Sequence, residues 1–411
     1  MVSLTEALEW LWEAQPPAPV EAKARELALD TLGCVLAASA KPPLQQLAAR
    51  FGKADPGAVH VPGFSQSFSV SSAAALFAAA ACWDEACEGL ARAHGRPGVP
   101  VIAACTSLAQ TQNATLGEWL RAVIIGYEVG GRMGEVLRVA SGMHVDAYWP
   151  GLGVAAAAVR LSGGGAAQAL AAVRIAACQL PHSLYLPVVH GSEARNTYLA
   201  HSAQLGLLAA SAALAGISAP KACNEDVLPG GAWLLLEGYL KRFAAVRHVH
   251  YGAAAAIALR PRVAARLREI SRIQLRIYAE ALTYCANRAP ERPLQAQFSL
   301  SYGLARALAC GDLSPEAYSE SALRDPLVRA LEAKVELIEN TQPRRAGRLT
   351  LELEGERLEH AVDDLPAMTR EEVVGKFAAY TQLPRATATR FVDAPAQSGF
   401  TALLRGLASR A

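Results

Sequence analysis

Between two alanine-rich segments the chain places Asp84-Glu85-Ala86-Cys87-Glu88 and then His94-Gly95-Arg96-Pro97-Gly98. Acids, a histidine, an arginine and a backbone break therefore fall within fifteen positions. Histidine exchanges protons near neutral pH and arginine holds carboxylates, so this loop carries the parts that proton transfer on an anionic substrate needs. The same composition also suits a solvated connection between helices, because turns are polar by default. Further polar positions stand in similar small-residue surroundings: His144, Arg195 and His250, with Lys241 and Arg247 close to the last in sequence. One such histidine is ordinarily a satisfied core residue. Several of them meeting in one place would be a site, and only the fold decides that.

The elements that must position these residues are mostly helical. Residues 72–83 read as a small-residue helix, and Val99 to Leu108 as another apolar run. Ala24, Leu27, Ala28, Leu32 and Val35 recur at helical spacing. Thr115 with Glu118 forms a capping box that opens a helix running through Ile124 to Val136, and Gly163-Gly164-Gly165 marks a turn between two more helices. Near residue 270 the pattern changes. Arg272 to Ile277 alternates polar and apolar residues as a half-buried strand does, and Leu349, Leu351 and Leu353 alternate likewise. Gly355 then predicts a hairpin turn before Leu358. Ser314-Pro315 and the Thr369/Glu372 box predict helix starts between and after the strands. The stretch from about 396 is helical again. The expected fold is mainly α: a helical domain over 1–262, completed by a C-terminal helix at about 390–411, and a smaller α/β lid over 263–389.

Composition excludes several functions. The 411 residues carry a net charge of +2, too small to argue for nucleic acid or an anionic membrane surface. The eight cysteines form no CxxC pair, which suits reduced thiols in the cytoplasm. The N-terminus lacks the basic region of a signal peptide. Two long stretches, Pro56–Trp83 and Asn196–Pro220, hold no Asp, Glu, Lys or Arg. Histidine, glutamine, glycine and serine interrupt them, so they read as buried segments rather than membrane spans. Gly151-Leu152-Gly153-Val154-Ala155-Ala156 matches a dinucleotide fingerprint, but no strand precedes it and no acid follows at the required distance. Close helix packing accounts for it better. His248-Val249-His250 has a spacing open to metal ligation, yet no cysteine or carboxylate accompanies it, and no metal is expected.

A collinear series of segments carries a family resemblance. It runs from Ala28-Leu29-Asp30-Thr31-Leu32-Gly33 through His94–Pro100 to Gly126-Tyr127-Glu128-Val129 with Arg132. It continues through Gly142-Met143-His144, Gly153 and an alanine run, then Ala296-Gln297-Phe298-Ser299-Leu300 with Tyr302, and ends near Asp325-Pro326. In this order the chain resembles the MmgE/PrpD family, which includes 2-methylcitrate dehydratase, cis-aconitate decarboxylase and iminodisuccinate epimerase. The resemblance implies a helical domain with an α/β lid, a homodimer, and a site between the domains that needs no metal or organic cofactor.

Carried over by position, Asp84, His94, His144 and His250 fall on catalytic residues of the family. Arg195, standing where the family usually has lysine, and Lys241 and Arg247 fall on binding positions. The implied chemistry is a lyase reaction on a small polycarboxylate, dehydratase-like, with isomerisation or decarboxylation of another acid, or ligand binding alone, as alternatives. His94 and His144 would move the proton, Asp84 would orient an imidazole or protonate a leaving group, His250 would assist and Arg195 would clamp a carboxylate. The departures point to a changed substrate. Ala86 and Cys87 replace expected acids, Glu88 stands where threonine is usual, and Tyr148-Trp149 makes the entrance after His144 bulkier.

Overall fold

A computed structural model describes residues 1–341 and 344–408 of the chain; the last predicted residues of the C-terminal helix, 409–411, lie outside the described residues. The helical body is built on Ala18–Ala38, Val70–Cys82, Gly98–Gln112, Leu116–Val136, Pro150–Leu161 and Tyr198–Leu214. Val70–Cys82 is buried along almost its whole length, as are most apolar residues of Tyr198–Leu214, with Leu208 exposed. The two uncharged stretches therefore contain core helices. Among the described residues no helix is long and apolar enough to cross a membrane.

Small residues set how closely these helices pack. A Cβ on Gly153 would lie 2.3 Å from the carbonyl oxygen of Gly126, and one on Gly206 would lie 2.3 Å from Val154 Cβ. The Gly151–Ala156 segment is thus a helix-crossing surface, which is what its glycines are for. The Thr115 box forms as expected: Thr115 Oγ1 accepts from the Glu118 amide at 3.2 Å and Glu118 Oε2 accepts from the Thr115 amide at 2.8 Å.

The C-terminal part holds a four-stranded sheet in the order Val335–Asn340, Arg272–Tyr278, Gly347–Leu353, Glu356–Val362. The first pair is parallel and the others antiparallel, with Leu275 opposite both Leu337 and Leu349 and with Leu351 opposite Leu358. The helix Arg247–Val263 lies across this sheet, where a Cβ on Gly252 would meet Leu275 at 3.0 Å. The hairpin at Gly355 forms with φ +72°, in the region glycine tolerates. Ser314-Pro315 differs from expectation. It opens only a 3₁₀ turn, Pro315–Tyr318, because the Ser314 hydroxyl donates to Asp312 Oδ2 at 2.6 Å instead of capping a helix.

After the sheet the chain returns to the helical body. Helix Arg370–Thr381 packs on Ala18–Ala38, with Phe377 against Gly33, and Phe400 stacks on Trp119 at 4.5 Å. This return matters for the site. Lys376 donates to Asp30 Oδ1 at 2.6 Å, to the Ala86 carbonyl at 2.7 Å and to the Lys241 carbonyl at 2.9 Å. One buried ammonium therefore ties together two of the segments that line the cavity described next.

Candidate active site

A cavity of about 350 Å³ opens where the helical body meets the sheet-bearing part. Its wall includes His94, His144, Arg195, Lys241 and Arg247, so five of the seven residues singled out in the sequence come together. Asp84 and His250 are not among the lining residues. Asp84 turns away from the cavity and pairs with Lys41 at 3.3 Å. His250 is buried beside Phe243, with Nε2 3.1 Å from the Ala245 carbonyl oxygen, and burial holds its imidazole well below the usual range. A neutral ring on a backbone carbonyl is a structural histidine, not one that exchanges protons with a ligand.

The helical side of the cavity is a closed charge cluster. The loop after Val70–Cys82 turns at Glu85 with φ +52°, aiming its carboxylate inward rather than that of Asp84. Glu85 accepts from Lys241 Nζ at 2.5 Å and from Arg96 Nη1 at 3.0 Å, and it also pairs with Arg195. Asp146 holds Arg96 from the other side and lies 3.5 Å from Arg195. Burial pushes both carboxyls up, but the surrounding cations outweigh it and hold both below the carboxylate range, Glu85 far below. Three cations thus share two acids, and almost nothing of them is exposed.

Glu88 lies beside this cluster. Its Oε1 accepts the Gly98 and Val99 amides at 2.8 and 3.3 Å, at the start of helix Gly98–Gln112. Burial nonetheless raises its carboxyl to about 8, so it is protonated at neutral pH.

The two cavity histidines of the sequence prediction differ in what engages Nδ1. His144 Nδ1 accepts the Asp146 amide at 3.2 Å, so the neutral ring carries its proton on Nε2. Burial lowers its pKa to about 4 despite Asp146 nearby, and Tyr185 stacks on it at 5.8 Å. His94 Nδ1 lies 3.3 Å from Glu280 Oε1. The hydrogen bond from His94 and the charge of Arg345 hold Glu280 at about 2, against the effect of burial. An ionised carboxylate only accepts, so His94 donates to it from Nδ1, and Nε2 is left to face a ligand. These assignments follow from the hydrogen-bond network.

Sequence reasoning missed several lining residues. Glu85 and Arg96 stood in the quoted loop, and Asp146 follows His144 by two, so each had a local signal. His248 was noted only as half of a metal-spaced pair, yet it faces the cavity with Nδ1 2.6 Å from Tyr278 Oη, and burial lowers it to about 4. Glu280, Tyr284 and Arg345 had no signal: the first two stand on the short helix after strand Arg272–Tyr278 and Arg345 just before its partner strand Gly347–Leu353, so only the fold brings them to the cavity. Arg247 begins the helix Arg247–Val263 and lies over the Tyr239 ring at 4.3 Å. Its Nη2 donates to the Leu365 carbonyl at 3.3 Å, and no carboxylate among the described residues is within ion-pair distance. Among the described residues no group of three His, Cys, Asp or Glu side chains is placed to hold a metal ion.

Comparison with known families gives two adjoining matches. Residues 8–242 match the MmgE/PrpD N-terminal domain and residues 243–394 the MmgE/PrpD C-terminal domain. No curated protein matches the chain.

Proposed function

The chain belongs to the MmgE/PrpD family, a mostly enzymatic family of dehydratases, decarboxylases and epimerases acting on carboxylic acids, and from that premise we propose a cofactor-independent lyase that moves a proton beside a carboxylate. One observation carries the reading: Arg247, a guanidinium with no acidic partner among the described residues, lines the same cavity as two imidazoles, one accepting at Nδ1 from a backbone amide and one held at Nδ1 by a carboxylate. Arg247 seats the substrate carboxylate through charge-assisted hydrogen bonds, helped by the positive end of the helix it begins. His94, oriented by Glu280, takes the C–H proton on Nε2. His144, held neutral by its low pKa, hydrogen-bonds the departing hydroxyl through Nε2–H and so stabilises the charge that develops on it. The hydroxyl leaves as water with the proton that His94 took, which gives the unsaturated acid and returns both imidazoles to their starting state. Lys241, Arg195 and Arg96 supply positive potential from behind the acids that hold them, which favours charge developing on the substrate.

Epimerisation is a second reading, favoured by His248, a third imidazole at the cavity, which burial keeps neutral. Incubating hydroxy acids and their isomers in D2O under NMR separates the outcomes, since water loss, CO2 loss and bare deuterium exchange give different spectra. The lyase reading expects water loss in the wild type. It also expects a fall of about a hundredfold or more in kcat for His94→Gln and His144→Gln. Undiminished turnover in either variant removes that residue's role, and deuterium exchange without elimination selects the epimerase.

A further inference from the structure

We infer that the substrate is an acid with one principal carboxylate and a flat apolar body, aromatic or conjugated, which lies on a tyrosine wall between the two halves of the molecule. This rests on the reading that the site takes a carboxylic acid, and it narrows which acid.

The wall is continuous. Tyr185 lies within 15° of parallel to His144, Tyr284 follows at 5.2 Å from Tyr185, and His248 is again within 15° of parallel to Tyr284 at 6.3 Å. Phe298 meets the Tyr185 ring edge-on at 6.4 Å. Tyr185, Tyr284 and Phe298 all line the cavity, and Tyr284 is 42% exposed although its ring forms part of the wall. A large ring face left open inside a cavity gains from covering by another flat apolar group, through area burial and offset stacking.

The charges point the same way. A flexible tricarboxylate needs several free cations, because each carboxylate it brings must be paired when water leaves. Arg96, Arg195 and Lys241 are already held by Glu85 and Asp146, and Arg345 by Glu280. Arg247 is left, with the exposed Arg138 at the rim, whose Nη1 donates to the Arg92 carbonyl at 3.4 Å. The site therefore has one enclosed carboxylate seat and an aromatic floor. At about 350 Å³ the cavity is near the small end for a ligand pocket, which suits a compact planar acid.

Isothermal titration of the full chain with cinnamate, phenylacetate, butyrate and citrate tests this. The aryl acids should bind about tenfold or more tighter than butyrate, which has the same charge, and tighter than citrate. Tyr284→Ala should cut the aryl-to-butyrate ratio by about fivefold and leave butyrate unchanged, whereas Arg247→Gln should weaken both. Citrate binding most tightly, or an unchanged ratio in Tyr284→Ala, overturns the inference while the carboxylic-acid reading stands. Binding of none of the four overturns both.

Discussion

On the helical side of the cavity, Glu85 and Asp146 are almost fully buried and each holds more than one cation. On the side of the sheet, Glu280 is about one-third exposed, holding Arg345 at 2.8 Å and His94 at 3.3 Å. The first cluster is drawn from segments that the body's helices and Lys376 fix in place. The second joins the short helix Ala279–Cys285 and the segment before strand Gly347–Leu353 to His94 on the body's loop. Buried charges with shared partners resist rearrangement, because releasing any one leaves an unpaired charge in low dielectric. Half-exposed pairs trade partners with water at little cost. The molecule thus places a rigid electrostatic frame behind the site and keeps its adjustable contacts on the part that would cover a ligand.

The largest effect expected from this contrast is on stability. Glu85→Gln leaves Lys241, Arg96 and Arg195 around a neutral amide and should cost about 3–5 kcal/mol. Glu280→Gln should cost about 1 kcal/mol or less, since exposed pairs are screened, while lowering turnover because His94 loses its orienting carboxylate. Denaturant unfolding of the two variants checks this. Equal losses would mean that the helical cluster is no more committed than the Glu280 pairs.

A smaller effect separates the histidines by pH. His144 and His248 titrate near 4 in the folded protein, below the ordinary 6.5. Between those values the unfolded chain binds protons that the folded protein refuses, so the stability these two rings contribute is fully present above 6.5 and is lost as pH drops toward 4. A fully buried histidine contributes a slope of about 1.4 kcal/mol per pH unit in this window. Partly exposed His248 contributes less. Glu85 and Asp146, whose pKa values are depressed, add a second loss at lower pH, beginning where unfolded carboxyls take up protons. Glu88, raised to about 8, binds its proton more tightly folded than unfolded and opposes this decline over much of the same range, so the test is a difference. The stability of the wild type relative to His144→Gln should fall as pH drops from 7 to 4, and a difference that does not change with pH would remove the assignment to His144.

Much of this architecture was legible in the chain. Period, capping boxes and glycine turns placed the helices and the sheet, because those signals are local. The histidine and arginine positions of the cavity were legible by their types and by the family's order. Which acid faces the cavity was not. Asp84 and Glu85 are adjacent, and the choice between them depends on the left-handed turn at Glu85 and on where Lys41 and Lys241 lie in the fold. His248 and His250 posed the same problem two residues apart on one helix, where opposite faces meet a cavity and a core. Glu280 and Arg345 reach the site through strand pairing, which leaves no local pattern around either residue.

The adjacent acids also give the smallest predicted effect, and the one that bears most directly on the contrast between frame and surface. Asp84 is buried, and burial outweighs Lys41 to raise its carboxyl, but Lys41 is about one-third exposed and Asp84 does not line the cavity. Asp84→Asn keeps the shape and removes a charge whose partner is screened, so stability should change by less than about 1 kcal/mol and turnover by less than about threefold. The expectation holds because Glu85, not its neighbour, neutralises the cations that shape the potential at the ligand. A loss of turnover in Asp84→Asn comparable to that of His94→Gln, with the fold intact by circular dichroism, would return Asp84 to the chemistry. It would also mean that the loop turns differently when a substrate is bound.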